Sequence, residues 1–263
     1  MHPGLALLLA LMMASPLGAQ APEFVQAEVA APKGRDRDPA WPIAARLSGP
    51  TDRYVHGIMG NIPPWTMLEV RAVACGACRH GFEGATVVLP ATLVFEDIAP
   101  RLWDVTGDGR PEIVVVETDV DRGARLAVWS YSDRGADLTR LAATPFIGRP
   151  QRWLAPVGVG DFDGDGRVEI AYVDRPHLAR ELVLVRLEGD RLVELARSPG
   201  FSGHRMGDTT ITAAVRTCPE GAVLLLPDGD WQRLLAVRLV GGALVAADQG
   251  AMTGRALARA KPC

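Results

Sequence analysis

The sequence predicts an all-β fold assembled from short repeated units, with little helix. Three observations carry this expectation. Most hydrophobic residues fall in runs of four to seven, rich in Val, Leu and Ile and bounded by Gly, Pro or Asp, as strands are. Gly (28) and Pro (20) among 263 residues stand well above their usual total of about 12%, which means many turns rather than a few long helices. The chain also resembles itself at an offset of 57 residues, the scale of a supersecondary repeat. Composition narrows the field further. With 28 Lys+Arg against 31 Asp+Glu the net charge is −3, so no basic footprint for nucleic acid is present. A charged fraction of 22% beside 48% hydrophobic residues excludes wholesale disorder.

Along the chain, Gly4–Ala19 is an apolar run without a charged side chain that ends in small residues. It is shorter than the roughly 20 residues of a spanning helix. It reads as a secretory signal peptide (1–19), cleaved near Ala19 or Ala21, which predicts an exported chain with no membrane span once mature. Residues 20–44 mix Ala, Pro and charge without a period and read as an extended leader, with a strand near Trp41–Leu47. From residue 45 to 263 strand-like runs follow one another: Met67–Val70, Ala85–Leu89, Ile113–Glu117, Ala127–Tyr131, Ile170–Val173, Leu182–Leu187, Ala222–Leu226 and Leu234–Leu239. A helix over 176–187 is opposed by the Val/Leu alternation there.

The repeat is sharpest at Asp104–Ile113 and Asp161–Ile170, which agree at seven of ten positions. The similarity extends to a hairpin, with Arg125–Tyr131 aligning on Glu181–Leu187 and, 52 residues later, on Arg233–Leu239. Repeats are therefore expected at approximately 50–95, 96–148, 149–203 and 204–256. In the last of these, Arg216–Gly221 stands where the acidic loop should be, and no carboxylate set survives.

Each acidic loop places oxygens at alternate positions. The first offers Asp104, Thr106, Asp108 and Glu112, with the Arg110 carbonyl at position 7; the second offers Asp161, Asp163, Asp165 and Glu169, with Arg167 at position 7. Alternate residues point inward when a loop curls round a cation, and Gly109 and Gly166 permit the sharp turn. Hard oxygen ligands on a flexible loop suit Ca²⁺ better than Mg²⁺. The loops are not EF-hands, because position 12 is Val115 or Tyr172 and each loop runs straight into a strand. A nine-residue loop of this kind leading into a strand resembles the FG-GAP/VCBS repeats, whose best-known members form the β-propeller of integrin α subunits. The resemblance covers about residues 95–203 strongly and the rest weakly. It implies a small β-propeller or propeller-like array of about four blades, binding one or two structural Ca²⁺ ions at the ten positions just named. Thr106 departs from the Asp or Asn usual at position 3.

The cysteines are Cys75, Cys78, Cys218 and Cys263. An even count in an exported chain favours disulfides, and three connectivities are open. A local Cys75–Cys78 pair and a long-range Cys218–Cys263 pair are the expected ones. The latter would staple the loopless last repeat, with about 3–4 kcal/mol from loop closure. Cys75-Gly-Ala-Cys78-Arg79-His80 lacks the His directly after the second Cys that haem attachment requires. It also lacks the strand–helix setting of a redox CxxC, and no spacing supports His56 and His80 as zinc ligands beside it. The six tryptophans read as packing residues, and the five histidines form no recognisable acid–base set in sequence. No nucleophile elbow or phosphate-cradling loop occurs. The function expected from these observations is a non-catalytic, Ca²⁺-binding scaffold or binding module for a protein or polysaccharide ligand. The alternative is a propeller enzyme, a lyase or hydrolase of an extracellular polymer, with Tyr54, His56 and His204 as candidates at a central face.

Overall fold

A computed structural model describes residues 23–26, 41–73, 82–132 and 137–259. The expected signal peptide, most of the leader, Cys75, Cys78 and Cys263 lie outside the described residues. The regular structure of the described chain is almost entirely antiparallel sheet. Strands β1 (Val25–Gln26), β2 (Trp41–Pro50), β3 (Trp65–Val73) and β4 (Phe82–Val88) pair in sequence order as a first unit. Strands β6 (Arg101–Trp103), β7 (Glu112–Asp119), β8 (Gly123–Ser132) and β9 (Asp137–Ala143) form a second. A third holds β10 (Leu154–Gly160), β11 (Glu169–Asp174), β12 (Glu181–Glu188) and β13 (Arg191–Pro199). The fourth holds β14 (Ala214–Cys218), β15 (Gly221–Pro227), β16 (Arg233–Val240) and β17 (Ala243–Ala251). Between the first two units β5 (Leu93–Phe95) pairs with both β3 and β7, which joins them into one nine-stranded sheet. The helix α1 (Ala256–Arg259) is four residues long. Every hydrophobic run singled out above lies in or overlaps a strand, including Leu182–Leu187 in β12.

Successive units pack face to face because their central strands are apolar on both sides. In β7, Ile113 and Val115 enter a core shared with the first unit, while Val114 and Val116 enter one shared with the third. In β11 the same alternation sends Ile170 and Tyr172 to the second unit, and Ala171 and Val173 to the fourth. A strand has a side-chain period of two, so a continuous run such as Ile113-Val-Val-Val supplies two cores at once. The two end units differ. The outward face of β2 and β3 carries an Arg46–Glu69 ion pair, with Arg46 and Arg71 stacked on Phe24. The outward face of the fourth unit is apolar, and Leu225 and Leu234 pack there with Ala256 of α1.

Close approach of backbones fixes two glycines. Gly160, at the end of β10, would place a Cβ 2.6 Å from the Ala222 Cβ of β15. Gly123 opens β8 at φ +77° against the carbonyls of Arg149 and Arg152, a conformation and a space open only to glycine. The tryptophans behave as packing residues, with Trp41, Trp65, Trp129 and Trp153 buried.

Candidate metal loops and a histidine cleft

The first acidic loop joins β6 to β7, and the second joins β10 to β11. Their backbones are held by matching hydrogen bonds. The Asp104 carboxylate accepts the amides of Gly107 (2.7 Å), Asp108 (3.1 Å) and Gly109 (2.8 Å). Asp161 accepts those of Gly164 (2.6 Å), Asp165 (3.1 Å) and Gly166 (2.9 Å). Asp108 and Asp165 take the amides of Arg110 and Arg167. Glu112 and Glu169 turn back into the loop to accept the amides of Val105 and Phe162, at 3.0 and 2.8 Å. The glycines at positions 4 and 6 all have positive φ, from 77° to 84°. The sequence repeat is thus a repeat of hydrogen-bonding geometry, in which one short side chain satisfies several loop amides that a sharp turn would leave unpaired.

The charge surroundings of the two loops differ. In the second, Asp161, Asp163 and Glu169 each present one oxygen within 4.8 Å of the others. Arg186 lies across them, with Nε 2.7 Å from Glu169 Oε1, Nη2 3.1 Å from Asp163 and Nη1 2.9 Å from Asp165. It arrives from β12, directly opposite Glu169 in the ladder. Burial works against the charge on Arg186, but the hydrogen bonds and charge of Glu169 hold its pKa above the usual value. Burial likewise pushes the Glu169 carboxyl up, opposed by the Phe162 amide and by Arg186. In the first loop no such cation appears among the described residues, and Ser130 stands at the place of Arg186 in the aligned hairpin. Burial raises Glu112 to about 7, and the charges of Asp108 and Asp104 add to the rise. In the fourth unit Arg238 occupies the aligned place. There the loop has shrunk to the tight turn between Cys218 and Gly221, and Arg238 bonds the Glu220 carbonyl at 3.2 Å. Cys218 is buried and disulfide-bonded.

The pKa of Glu112 sets a pH dependence in the presence of chelator. Between about pH 4.5 and 7 the folded chain keeps a proton on Glu112 that the unfolded chain has released. This contribution therefore favours folding at the acid end and is lost as pH rises through the window. Urea titrations at pH 5 and pH 8 are expected to show a smaller stability difference for Glu112→Gln than for the unsubstituted chain. Equal differences would mean that Glu112 titrates normally.

Residues 104–172 match the FG-GAP-like repeat family, a span that holds both loops and the strands that follow them. The chain carries an FG-GAP-like repeat. No curated protein matches it. The FG-GAP-like segment lies within the second and third units, where the sequence resemblance was strongest, and the all-β architecture agrees with it.

A second constellation lies away from the loops. Tyr54, His56 and His204, separate in sequence, converge with His177, Trp153 and Glu96. His56 Nδ1 is 2.6 Å from Glu96 Oε1, and Thr118 donates to Glu96 Oε2 at 2.7 Å. Burial raises the Glu96 carboxyl, opposed by His56 and Thr118. His177 Nε2 is 3.1 Å from His204 Nδ1, and His204 Nε2 is 2.9 Å from the Asp208 carbonyl. The Tyr54 hydroxyl accepts the Gln151 amide at 2.8 Å, and Trp153 donates to the Glu96 carbonyl at 2.7 Å. Sequence reading missed Arg186, Glu96 and His177. The hairpin alignment already held the signal for Arg186, since Ser130, Arg186 and Arg238 share one column. Nothing local marks Glu96 or His177. Among the described residues no helix is long and apolar enough to cross a membrane.

Proposed function

We propose that this chain is an exported FG-GAP-like repeat protein stabilised by Ca²⁺, acting as a non-catalytic binding or scaffold module. The observation that carries this reading is the loop pair, with the same hydrogen-bonded curl and the same alternate oxygens built twice. The first loop is the one in which a cation meets no competing guanidinium among the described residues. Its ligands would be Asp104, Thr106, Asp108, the Arg110 carbonyl and Glu112, and a divalent ion there would relieve a buried carboxylate that faces two others. In the second loop Arg186 is already paired with Asp163, Asp165 and Glu169, so Ca²⁺ has to displace or share with a guanidinium. The four units act as blades of an open, propeller-like array. Shared cores join consecutive units, while α1 covers the outer face of the fourth and Phe24 lies over that of the first. Export rests on the apolar N-terminal run and the cysteine count, and the Cys218–Cys263 pairing remains the expected one. A protein or polysaccharide partner would then dock on the rigidified surface.

Calorimetric melting in excess chelator and in millimolar Ca²⁺ tests the reading. Saturation at about 100 times Kd is expected to add about 2.7 kcal/mol of stability, and Asp104→Asn with Asp108→Asn should remove the larger part of it. Identical melting in chelator and Ca²⁺ would refute the metal role. The enzyme reading has one observation in its favour, the convergence of Tyr54, His56 and His204. The cleft beside them, lined by His56 and His177 and about 190 Å³ in volume, is small for a polymer, since ligand pockets run from about 300 Å³ upward.

A further inference from the structure

The second and third units treat one corner of the repeat in opposite ways. In the second, β8 places Trp129 opposite Ile113 and Arg125 opposite Glu117, and β9 places Arg140 opposite Trp129. The indole Nε1 donates to Glu117 Oε1 at 2.9 Å, Arg125 Nε donates to Oε2 at 2.8 Å, and Arg140 stacks on the indole at 5.3 Å. Glu117 is fully buried there. At the same register positions the third unit has Asp174 for Glu117, Glu181 for Arg125, Val185 for Trp129 and Glu194 for Arg140. A large donor ring has become valine, and two guanidiniums have become carboxylates. Tyr172, where β7 has Val115, returns part of the lost ring volume.

These residues of the third unit line a cavity of about 400 Å³, closed on its other side by Thr144–Ile147 of the second unit. Its size falls within the range of about 300–1,000 Å³ typical of ligand pockets. The polar walls converge on one another. Arg197 Nη1 is 2.9 Å from Glu181 Oε2 and 3.1 Å from Asp174 Oδ2, and its other nitrogens donate to Glu194 at 3.0 and 2.7 Å. Arg175 Nη2 is 2.8 Å from Asp174 Oδ2 and 3.5 Å from Glu181 Oε2. The walls thus set three carboxylates against two guanidiniums, beside the apolar surface of Phe146, Leu154 and Leu192. Glu181 is the least engaged of the three, since Asp174 holds both arginines and Glu194 takes two bonds from Arg197. Arg122 and Arg125, which stack on Phe146, are not among the walls and are paired with Asp119 and Glu117. The cavity therefore lacks a ring with an N–H donor and carries one negative charge in excess.

We propose that this cavity binds a small aromatic amine, whose N–H-bearing ring takes the part that Trp129 plays in the second unit and whose ammonium group meets Glu181. The site is independent of the Ca²⁺ loops. Titration of the full chain with tryptamine, followed by calorimetry and by saturation-transfer NMR of the ligand, is the test. Indole-3-propionate supplies the same ring without the cation, and glucose a neutral polyhydroxylated ring. Tryptamine is expected to saturate one site with a Kd below about 1 mM. Indole-3-propionate should bind at least about tenfold more weakly, and glucose should not bind. Glu181→Gln should lower tryptamine affinity about tenfold. Tyr172→Val combined with Val185→Trp copies the second unit and should abolish binding, while Asp104→Asn should leave it unchanged. The comparison of the three ligands on the unsubstituted chain does not depend on any variant folding. No saturable tryptamine binding, equal affinity for indole-3-propionate, binding of glucose in place of tryptamine, or unchanged affinity in folded Glu181→Gln would each overturn the proposal.

Discussion

Arg186→Met is expected to destabilise the chelated protein by about 3–5 kcal/mol, the usual loss when one partner of a buried ion pair is removed. Arg186 is 6% exposed and Glu169 0%. Glu169 also lies beside Asp163 and Asp161, so the substitution leaves a buried carboxylate among like charges rather than merely deleting a contact. Two further outcomes follow from that cause. Adding Glu169→Gln to Arg186→Met should recover most of the loss, because the uncompensated charge is then gone. Ca²⁺ should stabilise Arg186→Met more than the unsubstituted chain, since the ion no longer competes with a guanidinium. Urea unfolding of the three proteins, with chelator and with Ca²⁺, measures all of this. A loss under about 1 kcal/mol would mean that Arg186 makes only a screened surface contact.

Trp153→Ala is the second large effect, about 3–5 kcal/mol by the usual range for removing a buried aromatic. The ring is 1% exposed in the core between the second and third units. Its indole donates to the Glu96 carbonyl at 2.7 Å, and its face meets His204 with centroids 4.8 Å apart. Trp153→Phe separates the contributions. It keeps most of the packing and loses the hydrogen bond, for an expected loss of about 1–2 kcal/mol. Near-equal losses in the two variants would mean that the hydrogen bond, not the packing, dominates. Because Trp153 holds both the Glu96 segment and the His204 loop, Trp153→Ala should also disturb the cleft, whereas Arg186→Met should leave it intact.

How much was legible beforehand differs between the two sites. The hydrogen-bonded curl of the loops was legible, because the residues that make it lie within nine positions and recur after 57 residues. The loss of the loop in the fourth unit was legible for the same reason, and the tight turn at Cys218–Gly221 stands in that place. Strands were legible because runs such as Ile113-Val-Val-Val are apolar on both faces. Short strands such as β5 and β6 carry too few residues to show a period. The bridging of two units by β5 could not be read at all, since its partners β3 and β7 lie on either side of it in the chain.

The sequence by itself thus determined the strand-rich repeat, its turns and the chemistry available in each acidic loop, all properties of neighbours along the chain. Only the tertiary structure decided which of those loops already holds a cation. A one-column difference, Ser130 against Arg186, has meaning only once β12 lies beside β11. The tertiary structure also decided that Tyr54, His56, Glu96, His177 and His204 share one place. These residues come from loops of different units, and no periodicity records that proximity. It follows from the packing of one twisted sheet against the next, which brings together turns that are distant in sequence.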